Sequence, residues 1–471
     1  MPHHWIPNSA DVLRRKMLDE LGIKKVDELF NDIPENLRVK KNVKVGFGRP
    51  LTEFEVVKLF NKLMSKNLFK GVGELNRVFL GGGVCPHYVP SAVKEIVSRS
   101  EFYSAYTPYQ PEINQGLLQA FFEYQSLMAE LYGVDVVNAS MYNGSTAAAE
   151  AVRMALRVRR GRKKVVIALN SHPEVREVIS TWLQGVGAEV AEVGFSSNGC
   201  VDVEDLKSKV DRNTAAVYVE SPNFFGVIEK GLREIIEVAH SAGALAIVNA
   251  NPISLGALEP PGALGADIVV GDAQPLGIGL NYGGPSAGIL GVQGRKELIR
   301  QLPGRLIGMT TTVDGSERGF MMILQTREQH IRRERATSNI TTNSGLEAVA
   351  AAVYTALLGS EGLRRLSLAI LGRTSYLIRE LVRRSGGEVK PAFKDSHYFG
   401  EVTLSLNGVP ADAVLSRVRG KGFYAGPPLS KFGMEDFKDC TLVCVSEVHA
   451  RNDIDAFVEA LLESVEEVRV G

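Results

Sequence analysis

The chain has 471 residues, with 54 Lys and Arg against 54 Asp and Glu, so its formal net charge is zero. Hydrophobic residues make up 45% and charged residues 23%, the balance of a globular chain long enough for one large and one small unit. That neutrality argues against nucleic acid or an acidic membrane as partner, and no stretch reads as a signal peptide or a membrane span.

Residues 1–75 read as a helical extension in which Thr52 and Glu55 form a capping-box pair ahead of TEFEVVKLFNKLMSKN. Gly81–Gly83 make a tight turn before Cys85. In Phe102–Gln125, Tyr103, Tyr106 and Tyr109 surround Pro108 and Pro111, which fix φ and push the residues before them toward extended conformations. Ala105–Pro111 is therefore expected as a stiff loop presenting phenols and the carboxylate of Glu112. A helix follows, with Asn114 at its N-cap and Leu117, Leu118, Phe121, Phe122, Leu127 and Met128 at helical spacing up to Tyr132. The loop either holds groups at a site or is a tyrosine-rich surface segment.

From Ser140 to about Gly294, apolar runs of strand length alternate with stretches long enough for helices. The runs are Lys163–Leu169, Ala188–Phe195, Ala215–Glu220, Ala244–Ala250, Ala266–Gly271 and Ala287–Val292, the pattern of a mostly parallel sheet covered on both faces. Tyr142–Thr146 precedes a helix, and an N-cap by Ser145 or Thr146 is favoured over an anion cradle there. The basic run Arg157–Lys164 reads as a helix C-terminus followed by a turn at Gly161. His87, His172, His330 and His397 are scattered. His330, among Arg332, Arg333 and Arg335, belongs either to a solvated basic face or to a subunit interface.

After Asn343 a long helix begins, with Thr342 or Asn343 as its N-cap. Then come a strand (His397–Leu406), a helix (Ala411–Gly420), a turn (Gly426–Pro428), a strand (Thr441–Ser446) and a helix (Asp453–Val468). The expected division is a helical extension (1–75), a large α/β domain (76–343) and a small α+β domain (344–471). This suits the aspartate-aminotransferase-like fold, although other doubly wound folds share the alternation. Cys85, Cys200, Cys440 and Cys444 lack metal-site spacing. They are expected as reduced thiols in a cytoplasmic protein without a metal centre.

Several segments resemble the P-protein family of the glycine cleavage system, and within it the alpha subunits that correspond to the N-terminal half. They are Pro7–Arg38, FLGGGVCPHYVP (Phe79–Pro90), the Phe102–Gln125 loop and helix, SMYNGSTAAAEA (Ser140–Ala151), Leu264–Leu290 and REQHIRRERATSNITTN (Arg327–Asn343). The resemblance implies fold type I of the pyridoxal phosphate (PLP) enzymes, and a subunit of glycine dehydrogenase (decarboxylating). In that family glycine is decarboxylated through PLP and the aminomethyl group passes to the lipoyl arm of H-protein. The family's catalytic half carries a His-Lys pair before a Gly-rich turn. Here Gln274-Pro275 stand there, either of them in the lysine's place, and Gly265–Gly294 contains no lysine. Asn249 or Asn251 stands where an acid against the pyridine nitrogen is expected, and asparagine supplies no charge.

The resemblance thus implies a beta subunit that holds PLP covalently, an α2β2 assembly, and a role for this chain in completing the beta subunit's site. Tyr106, Tyr109 and Glu112 are the implied catalytic residues. In fold type I dimers, residues after the large domain reach the neighbour's cofactor phosphate. Arg335, Thr337, Ser338 and Asn339 have the hydroxyl, amide and guanidinium groups for that. The alternative is a non-catalytic scaffold or regulatory subunit that only stabilises the PLP-bearing partner.

Overall fold

The computed structural model describes residues 3–39, 46–67, 72–83, 85–105 and 107–470. Two compact units divide the chain, residues 1–68 and 69–471. In the first, Asp11–Glu20 (α1) and Glu53–Met64 (α2) are the α-helices. The expected capping box is formed: the Glu55 amide donates to Thr52 Oγ1 at 3.3 Å and the Thr52 amide to Glu55 Oε2 at 2.9 Å. Arg49, 2.6 Å from Glu55, and the Thr52 amide and hydroxyl hold the Glu55 carboxyl down at about 2. Neither helix buries a side chain.

The second unit opens on the short strand Val78–Leu80 (β1) and builds a seven-stranded sheet. Its strands are Val136–Val137 (β2), Lys164–Ala168 (β3), Glu189–Val193 (β4), Thr214–Glu220 (β5), Leu245–Asn249 (β6), Ile268–Asp272 (β7) and Gly288–Val292 (β8). The spatial order is β2-β8-β7-β6-β5-β3-β4. β3 through β7 pair in parallel, and β8 runs antiparallel to both β7 and β2.

Helices Gln115–Tyr132 (α3), Gly144–Val158 (α4), Pro173–Gln184 (α5), Leu232–Ser241 (α6) and Gly345–Arg384 (α7) cover this sheet. Successive strand residues face opposite ways, so the same strands feed two cores. Val166, Val217, Val248 and Val269 share one with Tyr124 and Met128 of α3, Ile235 of α6 and Ala351 of α7. Val165, Ile167, Ala216 and Ile247 share the other with Ala148 and Val152 of α4 and Ile179 of α5. A hairpin, Leu306–Thr311 (β9) and Arg318–Ile323 (β10), follows the sheet. It has no counterpart in the sequence reading, because Gly308, Thr310 and Thr311 in one strand and Arg318 and Gly319 in the other interrupt the apolar runs.

α7 bends at Gly359, where φ is 61° and ψ −177°. By length and composition an 18-residue window of α7 is apolar enough to cross a membrane, which the sequence reading did not register. Its Ala348, Val349, Ala351 and Tyr354 are buried inside the protein. The N-cap of α7 is Ser344 rather than Thr342 or Asn343, since the Asn343 amide turns away to donate to Ala139 O at 2.6 Å.

Beyond α7, Lys390–Pro391 (β11), Glu401–Ser405 (β12) and Cys440–Cys444 (β14) form an antiparallel sheet, with Ala411–Gly420 (α8) and Arg451–Val470 (α9) packed against it. Tyr424–Gly426 (β13) pairs in parallel with β1. Val402, Leu404, Leu442 and Phe457 share their core with Phe79 and Phe225, so the start of the unit is sewn into its end.

Candidate functional site

Tyr106 lies outside the described residues. Tyr109, partly exposed, is held by Arg305, which is only 1% exposed. Arg305 donates to Tyr109 Oη at 3.1 Å and to Thr341 O at 2.6 Å, and its guanidinium also lies over the Tyr109 ring. Tyr142 closes the group: the Thr341 amide donates to Tyr142 Oη at 3.0 Å. Burial pushes the Tyr142 phenol up, but hydrogen bonds from Thr341 and Thr342 and the nearby Arg305 bring it below its ordinary value. Behind this group Arg327 and Glu328 are buried. Burial lowers the Arg327 guanidinium and raises the Glu328 carboxyl, the latter opposed by Arg305, Arg327 and His330.

The hairpin that carries Arg305 is fixed from α3. Gln115 exchanges hydrogen bonds with the Phe320 backbone at 2.8 and 2.9 Å, and Gln125 with Ile307 at 2.9 and 3.0 Å. Both glutamines complete backbone groups of the hairpin that would otherwise lack partners. Asn114 stands before α3 but does not cap it, because its amide donates backward to Gln110 O at 2.9 Å.

The other expected residues are less gathered. Glu112 is exposed and makes no hydrogen bond among the described residues. Arg335 and Asn339 are exposed too, Arg335 lying 3.5 Å from Glu334. Thr337 Oγ1 donates to Arg327 O at 3.1 Å and Ser338 Oγ donates to the buried Glu150, so both hydroxyls have partners within the chain.

At the head of α4 the N-cap is Asn143, not Ser145 or Thr146; its Oδ1 accepts the Thr146 amide at 2.9 Å. Asn143 is the last extended residue before the helix, which places its side chain across the first turn. The Gly144 amide donates at 2.7 Å to Asp272 Oδ2, at the end of β7. Asp272 Oδ1 also accepts the Gln274 amide at 2.8 Å and the Ser286 hydroxyl. Gln274 turns its own side chain to Gly279 O at 3.1 Å, and Pro275 is buried. Asn249, at the end of β6, donates to Tyr218 Oη at 3.1 Å and Glu220 Oε1 at 3.2 Å, whereas Asn251 caps the next turn by accepting the Ile253 amide at 2.9 Å.

The cysteines depart from the reduced thiols expected of them. Cys85 and Cys444 form a disulfide, and only Cys200 and Cys440 remain as free, buried thiols. The two cysteines are 359 residues apart, and the pairing of β1 with β13 beside β14 brings them together. Glu401 Oε1 accepts the Gly83 amide at 2.9 Å, and the Pro86 carbonyl accepts the Ser446 hydroxyl at 2.5 Å. Beyond them Glu447 accepts the Tyr88 amide at 2.7 Å and meets His87 at 2.9 Å. Glu401 and the two sulfurs lie within 4.8 Å of one another, but the sulfurs are bonded to each other.

Residues 3–461 match the family described as glycine cleavage system P-protein. The chain is 46% identical over 479 residues to a "Probable glycine dehydrogenase (decarboxylating) subunit 1" of Staphylothermus marinus, with 99% of each covered. To a protein of the same description from Saccharolobus solfataricus it is 45% identical over 472 residues, covering 100% of this chain and 99% of the relative. Among solved structures, it is similar to glycine decarboxylase (P-protein) of the glycine cleavage system in inhibitor-bound form. The TM-score is 0.84 at 40% identity, with 98% of this chain and 99% of that one covered. A sphingosine-1-phosphate lyase of Burkholderia pseudomallei shares the fold at 14% identity, with a TM-score of 0.65 over 91% of this chain and 94% of that one. The architecture is the expected one: α/β, PLP fold type I, around a mostly parallel sheet.

Proposed function

The chain belongs to the glycine cleavage system P-protein family, and from that premise we propose that it is the alpha subunit of a glycine decarboxylase, active only with a beta subunit that holds PLP. The proposed substrate is glycine, the acceptor is the lipoyl arm of H-protein, the assembly is α2β2, and the place is the cytoplasm. PLP, held covalently by the beta subunit, supplies the electron sink for decarboxylation. The residues at the head of α4 in this chain do not fit PLP. Asp272 takes the Gly144 amide and Asn143 the Thr146 amide there, and neither Gln274 nor Pro275 offers an amine.

The observation that carries this reading is the buried Arg305. It joins the Tyr109 loop to the segment before α7, so that two exposed polar stretches are held as one surface. In this reading Tyr109 and Glu112 line the approach to the partner's cofactor and orient glycine there, and Tyr106 is assigned the same role from the sequence resemblance alone. Arg335, Thr337, Ser338 and Asn339 lie toward the cofactor phosphate, with Arg335 and Asn339 the freer groups. The long side chain of Arg335 suits a phosphate.

The test is co-expression with the beta subunit and assay of glycine-dependent exchange of labelled CO2, for each chain alone and for the pair. Exchange is expected only from the pair. Tyr109→Phe and Glu112→Gln should each lower it at least about tenfold, a loss of about 1.4 kcal/mol of transition-state stabilisation. Assembly and beta-bound PLP absorbance should stay unchanged. Parental rates in both variants would leave the scaffold reading standing instead.

A further inference from the structure

The head of α4 is built to receive an anion and already has one of its own. α4 is a 15-residue helix, and the amide of its first residue, Gly144, points along the positive end of the helix dipole. The acceptor there is the carboxylate of Asp272, which also takes the Gln274 amide and the Ser286 hydroxyl. Three donors from three separate segments therefore converge on one side chain. Among the described residues no Lys, Arg or His forms an ion pair with Asp272, so dipoles alone hold its charge. The fit is close: a Cβ on Gly144 would stand 3.0 Å from Asp272 Cβ and 3.3 Å from Oδ2. Glycine at 144 is what lets the carboxylate approach.

We infer that Asp272 is the residue that excludes a phosphate-bearing cofactor from this chain's own cleft, its carboxylate standing in the cradle that the fold offers to a phosphate. Two neighbouring groups point the same way. Gln274 and Pro275 form a tight turn just after Asp272, and the Asn249 amide is engaged by Tyr218 and Glu220 rather than turned to a ring nitrogen. Burial raises the Asp272 carboxyl, against the pull of its three donors, so it is held where an ionised group is costly and where a ligand anion would compete for the same contacts. The inference rests on the reading that this chain takes no PLP of its own, and it adds the atom that prevents it.

The test uses the full chain without its partner and inorganic phosphate as the probe. The parent, Asp272→Gly, Asp272→Ser and Asp272→Asn are melted across a phosphate series. Asp272→Gly and Asp272→Ser should gain a saturable rise in Tm, about 2–3 °C at a concentration a hundredfold above Kd. The parent and Asp272→Asn, whose amide still fills the space, should show none. In the parent, the Gly144 and Gln274 amides should exchange slowly with solvent and ignore phosphate. A saturable phosphate response in the parent would overturn the inference, as would identical responses in the parent and both small variants. Should the small variants not fold, phosphate-sensitive or unprotected Gly144 and Gln274 amides in the parent would overturn it alone. Borohydride reduction of the parent with PLP separates the two ideas. A pyridoxyl-lysine would sink the functional reading, whereas its absence together with a failed phosphate series would sink only the role of Asp272.

Discussion

A guanidinium that is 1% exposed must find its acceptors inside the protein, and Arg305 finds them on Tyr109 and Thr341 while its Nε has none. Arg305→Ala would leave the Thr341 carbonyl without its donor and the buried Glu328 without the positive charge of Arg305 nearby. A loss of about 2–4 kcal/mol is expected, read by urea unfolding. A second residue sets a pH limit. His449 is fully buried, and its Nδ1 accepts the Ser446 amide at 3.0 Å while its Nε2 donates to Val78 O at 3.0 Å. Burial holds its imidazole down at about 4. Because the unfolded chain binds that proton first, stability is complete above about pH 6.5 and is lost as pH falls toward 4, by up to about 3 kcal/mol. Melts between pH 4 and 7 should show this loss, and His449→Gln should flatten it. Neither residue was legible in the sequence. Their partners lie far along the chain, and a buried cation or a neutral histidine leaves no local pattern. Tyr109 was legible because two prolines and a run of phenols mark its loop. At the head of α4 a side-chain cap was expected but placed on Ser145 or Thr146 instead of Asn143, since all three are good caps and only the backbone decides among them.

Elements with an apolar period were found almost to the residue. β3, β5, β6 and β8 fall within the predicted runs or one residue beyond, because strands buried on both faces read as continuous apolar stretches. The β9–β10 hairpin was missed for the opposite reason: part of it is exposed, and Gln115 and Gln125 supply its anchoring to α3. The bend in α7 gives a test at this scale. Nothing lies within 4 Å of a Cβ built on Gly359, so Gly359→Ala meets no clash and its cost is the backbone alone. A backbone with φ 61° and ψ −177° is nearly confined to glycine, and the variant should lose about 1–3 kcal/mol, measured by chemical denaturation.

At the scale of the whole molecule, residues 1–68 stand out. Leu13, Met17, Phe30, Phe54 and Phe60 are exposed, and neither α1 nor α2 buries a side chain. Apolar surface on that scale promotes association, and obligate interfaces are the apolar ones, burying roughly 2,000 Å² or more. Sedimentation of the isolated chain should therefore show self-association that gives way to a defined heteromer when the beta subunit is added. A partner-indifferent monomer would contradict it. The Cys85–Cys444 bond acts at the same scale. Two cysteines 359 residues apart cannot be matched from spacing, which is why the sequence suggested free thiols. Closing so long a loop is worth about 6 kcal/mol on chain-entropy grounds, so thiol reduction or Cys85→Ser should lower Tm by about 6 °C.

The same bond changes the topology of the molecule. Backbone from 85 to 444 and the two sulfurs make a closed circuit, leaving a front tail and a short rear tail that is mostly α9. A protease cut in either tail frees a fragment at once. A single cut anywhere in the circuit only opens the ring, and the molecule stays in one covalent piece until a thiol is added. Paired gels with and without reductant would therefore tell which part of the chain had been cut.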